Sequence, residues 1–136
     1  MPARLILTID QGTTNTKALL VDRSGSPAFR TSSPVGVTTV NGFVEQDPSA
    51  LWTSTLSVIA AAVQHVSQIG ERIEAVAISN QRETAIAWSA STGEPLANAV
   101  SWQCGRSAAI CDRLSSKADF FRDRTGLPLA SLVSAG

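Results

Sequence analysis

The sequence predicts an α/β fold: a mixed sheet with helices packed against it. Three observations support this prediction. Short apolar segments are separated by hairpin turn residues, one long amphipathic helix follows them, and the chain then returns to a strand-like segment. Strands joined by tight turns pair antiparallel, whereas strands joined through a helix pair in parallel. The 136 residues are enough for one domain.

Composition excludes several classes of protein. Eleven Lys and Arg balance eleven Asp and Glu, so no net positive charge attracts a nucleic acid or an anionic membrane. No apolar stretch reaches the length of a membrane span, and no signal peptide pattern follows Met1. The two cysteines, Cys104 and Cys111, are too few for a disulfide framework or, alone, for a zinc site. We expect a cytoplasmic protein with no nucleic-acid or membrane partner.

The first elements read as three strands. Residues 4–9 form an apolar run that is typical of a central strand covered on both faces. Residues 16–22 and 28–33 are predicted as the next two strands, and residues 23–27 supply the turn of a hairpin between them.

A helix is predicted to begin with Asp47 as N-cap and Pro48 at the first helical position, and to end before Gly70. Residues 34–42, ahead of it, are predicted to be a loop or an edge strand, because proline removes a ladder hydrogen bond. Apolar residues at spacings of three and four define the predicted buried face of the helix: Trp52, Leu56, Ile59, Val63 and Val66.

The second half of the chain alternates shorter elements. Residues 73–79 and 84–88 are predicted strands, and the second is closed by a turn at 92–95. A short strand at 97–102 leads into a helix at about 107–117. The buried side of that helix is predicted to carry Ile110, Cys111 and Leu114.

The last predicted element is a helical turn that begins at Phe120 and Phe121 and stops near Gly126. Residues 127–136 are apolar and carry no charge, so we expect more chain or a partner to cover them. The sequence therefore indicates the front part of a longer polypeptide.

The first candidate site is the segment 10–17, Asp-Gln-Gly-Thr-Thr-Asn-Thr-Lys, which follows a predicted buried strand. A carboxylate at a strand end, here Asp10, holds Mg²⁺ directly or through water. Gly12 lets backbone N–H groups approach an anion, and the hydroxyls of Thr13 and Thr14 add donors. The segment joins two strands and lacks the GxxxxGK[ST] pattern, so it is not a Walker A loop. By itself it fits both a triphosphate cradle and an ordinary polar hairpin turn.

Two further segments also follow predicted strands. In residues 80–84, Asn-Gln-Arg-Glu-Thr, the side chains of Arg82 and Glu83 suit hydrogen bonds to the vicinal hydroxyls of a polyol, although five polar residues are also normal for a turn. In residues 101–106, Trp102 offers an apolar face to the C–H face of a sugar, although a tryptophan is more often part of a core.

Together the three segments resemble the FGGY carbohydrate kinases and, within that family, the glycerol kinase branch. The first is similar to the family's amino-terminal phosphate loop, DxGTT followed by a basic residue in the next strand. The second is similar to its NQRE substrate motif, and the third to its WQ-x-x-R segment. GFVEQDP before the helix and TGLPL near the end match as well. The resemblance runs from about Leu5 to Ala135.

The resemblance implies a ribonuclease H-like, actin-type ATPase fold, with residues 1–136 forming part of the first of two domains and the second domain absent. ATP would bind in the cleft between the domains. Asp10 would place Mg²⁺, Thr13 and Thr14 would contact the β- and γ-phosphates, and Lys17 would lie beside them. The polyol pocket would be lined by Arg82, Glu83 and Trp102.

The implied reaction is in-line transfer of the γ-phosphoryl group of ATP to a hydroxyl of a polyol or ketose. The family's general base is an Asp expected beyond Gly136, so we expect residues 1–136 alone to be inactive. The family's substrate-binding Tyr falls at Leu132, which has no hydroxyl, and this weakens the case for glycerol itself. A homo-oligomeric full-length form is compatible with the resemblance.

Two other interpretations stay open at this point. One is a non-catalytic, truncated or split product that keeps a ligand or subunit contact without turnover. The other is a different actin-type ATPase that shares only the phosphate loop. The NQRE motif and the segment around Trp102 favour the kinase over the second of these.

Overall fold

A computed structural model describes residues 4–131, and within them the chain forms two compact units. Unit 1 comprises residues 4–36 and 49–81, and unit 2 comprises residues 37–48 and 82–131. Across residues 4–131, no helix has both the length and the apolar character needed to cross a bilayer.

The helices and strands, in chain order, are β1 (Arg4–Gln11), β2 (Asn15–Val21), β3 (Pro27–Pro34), β4 (Thr38–Val40), β5 (Phe43–Gln46), α1 (Pro48–Ile69), β6 (Arg72–Asn80), β7 (Ala99–Val100), α2 (Ala108–Arg113) and α3 (Ala118–Thr125).

Unit 1 is built on a four-stranded mixed sheet with the order β3-β2-β1-β6. The pairs β1–β2 and β2–β3 are antiparallel, and β6 pairs with β1 in parallel after the crossover through α1. The hairpin turn between β2 and β3 is closed by the Asp22 carboxylate, which accepts hydrogen bonds from the backbone N–H groups of Ser24 and Ser26. The predicted mixed sheet and its four strands are confirmed.

The core of unit 1 lies between this sheet and α1. Along β1 the burial alternates, because successive side chains of a strand point to opposite faces. Ile6 and Thr8, on the face away from the core, are only half-buried, so the prediction of a strand covered on both faces is half right. The buried apolar cluster consists of Leu5, Leu7, Ile9, Ala18, Leu20, Val58, Ala62 and Val66.

The predicted buried face of α1 is largely wrong. Trp52 is 63% exposed, and Leu56 and Val63 are also exposed. Apolar residues occur around much of this helix, so their spacing alone does not choose a face. Packing favours the stripe with small residues, where the helix can approach the sheet closely. The buried residues are Leu51, Ser54, Val58, Ala62 and Val66.

Unit 2 contains a three-stranded antiparallel sheet with the order β4-β5-β7. The edge strand allowed at 34–42 is confirmed as β4, which lies at the edge of this sheet, whereas β5 was not predicted. The predicted strand at 84–88 is wrong, since this segment makes only the isolated bridges Ala85↔Val100 and Trp88↔Pro95. The strand predicted at 97–102 shortens to β7. Such short segments depend on partners that are distant in sequence, which local pattern does not reveal.

The helical end of unit 2 is more broken than predicted. The helix expected at 107–117 is α2 flanked by short 3₁₀ turns at 105–107 and 115–117. Cys111 is buried as expected, whereas Ile110 is exposed. The final helix is confirmed as α3, and Gly126 ends it with φ 73°, a left-handed conformation that glycine adopts without strain.

Candidate functional site

The first two candidate segments leave the same edge of the sheet in unit 1. Because β1 and β6 are parallel neighbours, their carboxyl ends lie together, with Asp10 beside Ser79 and Gln11 beside Asn80. Ligands bind at the carboxyl ends of parallel strands in open α/β sheets because loops diverge there and leave a crevice. The sequence placed each segment at the end of a strand. Only the strand order shows that these ends are adjacent.

The turn after β1 requires glycine at position 12. The Gly12 N–H donates to the Asn15 carbonyl oxygen at 3.0 Å, and a Cβ at Gly12 would also approach that oxygen to 3.0 Å. Any larger residue would therefore push the turn open. The Gly12 N–H is already hydrogen-bonded within the turn, so the role of Gly12 is to let the chain at position 12 pass close to Asn15. The sequence interpretation had emphasised access of N–H groups to an anion.

Asp10 and Lys17 are directly opposite each other in the antiparallel pair of β1 and β2, so their side chains share one face. Both are exposed, and their chain neighbours Ile9 and Ala18 point into the core on the other face. The register thus presents a carboxylate and an ammonium group together at the sheet edge. Thr14 is exposed next to them along the chain.

The loop is tied to the rest of unit 1 by two hydrogen bonds. The Thr14 carbonyl accepts from the Val35 N–H at 2.8 Å. The hydroxyls of Thr16 and Ser54 form a buried hydrogen bond of 2.7 Å between the start of β2 and α1. Since the Ser54 hydroxyl donates to the Leu51 carbonyl, the Thr16 hydroxyl is the donor to Ser54. These contacts fix the end of the loop that leads into β2.

The donor set suits magnesium carried by a phosphate ligand. Among residues 4–131 there is no group of three or more His, Cys, Asp or Glu side chains that could hold a metal ion. Asp10 supplies one carboxylate, and Mg²⁺ is usually bound by one or two carboxylates together with substrate phosphates and water. Asp10 thus fits the role of a single oxygen ligand of the kind that Mg²⁺ takes.

Two glutamines join the first two segments. The Gln81 side-chain amide donates to the Gln11 side-chain oxygen at 3.3 Å, and the Gln11 amide donates to the Gly12 carbonyl at 2.9 Å. Sequence reasoning did not assign a role to either residue. The sequence does show a glutamine at or just after the end of each of these two strands. That the two glutamines lie close together follows only from the parallel pairing of β1 with β6.

Arg82 and Glu83 have an unusual backbone. Their φ angles are 54° and 55°, so two consecutive residues other than glycine lie in the left-handed region. Each such residue costs on the order of 1–3 kcal/mol, and this kind of strain is concentrated at functional sites. The Thr84 N–H donates to the Arg82 carbonyl at 2.7 Å and tightens the bend. The predicted turn is confirmed, and its strain favours a functional role over an ordinary turn.

The third candidate segment lies with Arg82 and Glu83 in unit 2. Trp102 is half-buried, and its backbone N–H donates to the Thr84 hydroxyl at 3.3 Å. One step earlier along each segment, Ala85 and Val100 exchange both backbone hydrogen bonds, at 3.0 and 2.9 Å. The structure therefore brings the second and third segments together within this unit.

A polar cluster lies directly after Trp102. Arg106 donates to Glu45 at 2.6 Å and, through Nε, to the Cys104 sulfur at 3.0 Å. The Val44 N–H also donates to this sulfur, at 3.4 Å. The Asn98 amide donates to the Glu45 carboxylate at 3.0 Å. Arg106 is the arginine of the WQ-x-x-R segment, and its contacts with Glu45 and Cys104 were not predicted from the sequence.

These contacts shift the ionisation of the cluster. The hydrogen bond from Arg106, and then the one from Asn98, lowers the pKa of Glu45. The same pairing with Glu45, and then with Cys104, raises the pKa of Arg106. Burial acts to raise the pKa of the Cys104 thiol, but donation from Val44 and Arg106 outweighs it, and the pKa is lowered.

Leu132, where the sequence analysis placed the position of the family's tyrosine, lies outside the described residues. Part of the apolar segment 127–136 lies outside them too, and within the described part Leu127 is exposed.

Comparison with known families gives one match along nearly the whole chain. Residues 5–136 match the profile of the FGGY family of carbohydrate kinases, N-terminal domain. Glycerol kinase 2 of Thermotoga maritima is 38% identical over 134 residues, which cover 96% of this chain and 27% of that protein. Glycerol kinase of Paraburkholderia phymatum is 41% identical over 143 residues, which cover 99% of this chain and 28% of that protein.

Solved structures show the same similarity. Plasmodium falciparum glycerol kinase with ADP superposes with a TM-score of 0.86 at 26% identity, over 98% of this chain and 28% of that one. Gluconate kinase from Lactobacillus acidophilus superposes with a TM-score of 0.85 at 25% identity, over 96% of this chain and 26% of that one. The fold is thus that of the sugar kinases, an actin-like ATPase fold. The chain spans little more than a quarter of the length of these relatives.

Proposed function

The chain belongs to the FGGY family of carbohydrate kinases, and we propose that it forms the amino-terminal part of an ATP-dependent kinase. This kinase transfers the γ-phosphoryl group of ATP to a hydroxyl of a polyol or ketose. In this proposal residues 1–136 belong to the first of two domains. The general base is left unassigned.

The observation that carries the proposal is the adjacency of the carboxyl ends of β1 and β6. The end of β1 carries Asp10 and continues into the loop at Gly12, and the end of β6 continues along the chain toward Arg82 and Glu83. A phosphoryl-transfer enzyme must hold a nucleotide tail and an acceptor hydroxyl within bonding distance, because most of its catalysis is positioning. Within unit 1, the two strand ends are the points from which both candidate segments start.

In the phosphate-binding part, the Lys17 ammonium neutralises phosphate charge, and the Thr13 and Thr14 hydroxyls donate to the β- and γ-phosphate oxygens. The tight turn at Gly12 keeps these groups close to the sheet edge. Asp10 holds Mg²⁺ directly or through water, and the ion offsets the charge that accumulates on the phosphate oxygens.

In the acceptor-binding part, the Glu83 carboxylate accepts hydrogen bonds from hydroxyls of the polyol and the Arg82 guanidinium donates to them. Trp102 contributes an apolar face to the C–H groups on the other side of the acceptor. A bend that is strained before the ligand arrives keeps Arg82 and Glu83 in one arrangement, so less ordering is needed on binding.

The test is phosphoryl transfer by the full product of the gene, measured with a coupled assay for ADP over a panel of polyols and ketoses. Asp10→Asn should lower kcat by about a hundredfold or more, while the KM for the acceptor changes by less than about threefold, since Asp10 acts on transition-state charge. The concentration of Mg²⁺ that gives half-maximal activity should rise.

The matched control is Asp112→Asn, which neutralises an exposed aspartate on α2 and should leave both constants unchanged. Wild-type turnover of ATP that does not depend on any acceptor would favour a different actin-type ATPase. Unchanged kcat in Asp10→Asn would remove this residue from the phosphate site.

A further inference from the structure

We propose that Arg106 is a positioning residue that holds the Trp102 turn in the arrangement that contacts the acceptor. This inference rests on the proposed function of Trp102, and it adds a residue that does not itself touch the acceptor. Trp102 occupies a turn between β7 and the 3₁₀ turn at 105–107, where no regular ladder fixes the backbone.

The turn begins where the pairing of β5 with β7 stops. The Ser101 N–H still donates to the Val44 carbonyl, at 3.1 Å. The Ser101 carbonyl, however, accepts from the Cys104 N–H at 2.9 Å, so the chain folds back on itself at Trp102. The Val44 N–H donates to the Cys104 sulfur at 3.4 Å. The Cys104 sulfur therefore accepts the hydrogen bond that a backbone carbonyl of a longer β7 would otherwise accept from Val44.

Arg106 fixes this sulfur. Its Nε donates to the Cys104 sulfur at 3.0 Å, and its Nη2 donates to Glu45 on β5 at 2.6 Å. The guanidinium carbon also lies 4.7 Å from the centre of the Phe43 ring. One planar group thus contacts the first residue of β5, an acidic residue of β5 and the end of the Trp102 turn.

The geometry requires a guanidinium. Donation from Nε and Nη2 in two directions, together with stacking on a ring, uses the planar fork of arginine, and an ammonium group supplies a single point charge. Cys104 is buried, and its sulfur accepts from both the Val44 N–H and the Arg106 Nε, so the guanidinium holds a side chain that is already packed against β5. Removing Arg106 would leave the Trp102 turn attached to β5 only through the hydrogen bonds with Val44.

The experiment measures acceptor KM, ATP KM and kcat for Arg106→Gln in the full gene product. We expect the KM for the acceptor to rise about tenfold, with kcat within about twofold and the KM for ATP unchanged, because a misplaced binding residue weakens ground and transition states alike. Arg106→Lys should not restore the acceptor KM. The control is Arg122→Gln, which removes an exposed arginine paired with Asp119 on α3 and should leave all three constants unchanged.

A double-mutant cycle with Trp102→Ala tests whether Arg106 acts through Trp102. If it does, Arg106→Gln adds little to the acceptor KM once Trp102 is absent, whereas a full additional tenfold rise would overturn the inference. Should Arg106→Gln fail to fold, Cys104→Ala breaks the same link while Arg106 keeps Glu45, and it takes its place in the cycle.

Tryptophan emission supplies a readout that is independent of kinase activity. The difference in emission between proteins with and without Trp102→Phe isolates the Trp102 signal, and the maximum of this signal should shift in Arg106→Gln but not in Arg122→Gln. An unshifted spectrum would show that Arg106 does not position Trp102. An acceptor KM that Trp102→Ala leaves unchanged would instead remove Trp102 from the proposed acceptor site.

Discussion

The interior of unit 1 is stabilised in a different way from the interior of unit 2. The eight-residue buried apolar cluster lies wholly in unit 1, where α1 covers one face of the sheet. In the described part of unit 2, the buried residues are small or polar: Gln46, Ala99, Ser101, Cys104 and Cys111. The proposed phosphate loop thus rests on a hydrophobic core, whereas the proposed acceptor-binding residues depend on directional polar contacts. The stabilisation that comes from burying apolar side chains depends less on pH and on salt than the stabilisation that comes from ion pairs.

The largest difference between the units should come from core truncation. Leu20 is fully buried in the unit 1 cluster, and Leu20→Ala should lower the free energy of unfolding by about 3 kcal/mol through lost transfer energy and a cavity. Leu96→Ala is the matched change in unit 2, where this leucine is 69% exposed, and it should cost less than about 0.5 kcal/mol. Denaturant unfolding measures both, and equal losses would contradict the assignment of the core to unit 1.

A smaller effect, of opposite sign, is expected at the strained bend. Arg82→Gly should raise the free energy of unfolding by about 1 kcal/mol, because glycine adopts φ 54° without the penalty that arginine carries. The same change should raise the KM for the acceptor, since the guanidinium is lost. A matched control is Arg30→Gly in β3, where glycine should destabilise the strand. A loss of stability in Arg82→Gly would mean that side-chain contacts of Arg82 outweigh its backbone strain.

The smallest effect concerns pH and the Glu45 ion pair. Hydrogen bonds from Arg106 and then Asn98 hold the pKa of Glu45 below its ordinary value in the folded protein, so its contribution to stability is present above the ordinary pKa and is lost as the pH falls through the folded pKa. Glu45→Gln should therefore reduce protection of the β5 and β7 amides from hydrogen exchange at pH 7, and the difference from wild type should be smaller at an acidic pH below the folded pKa of Glu45.

Glu74→Gln sharpens this comparison. The pKa of Glu74 is lowered in the same way, by Arg4 first and then by Arg23, but Glu74 belongs to the unit with the apolar core. Its replacement should leave exchange protection of β1 and β2 unchanged at both pH values, since the core sets their opening free energy. Equal losses of protection in the two variants would show that the units do not differ in their dependence on ion pairs.

Glycine and proline positions and the apolar periods allowed much of unit 1 to be predicted from the sequence. Residues 4–9, the hairpin at 23–27 and the helix that begins at Pro48 follow local rules of strand alternation, turn residues and capping. The buried face of α1 was not predictable, because Ser54 and Ala62 are buried by the sheet they contact and not by their own hydropathy. In unit 2, β5 and β7 are too short to show an alternation of apolar and polar residues. Each is extended because it pairs with the other.

By itself the sequence determined the family, the three candidate segments and the approximate ends of β1 and β6, because motifs and turn chemistry are local. The tertiary structure alone decided that β1 and β6 end side by side, that Gln81 reaches Gln11, and that Arg106 links Glu45 to Cys104. These contacts join residues far apart in the chain. Their formation depends on strand order and register, which are properties of the packed fold and not of any short stretch of sequence.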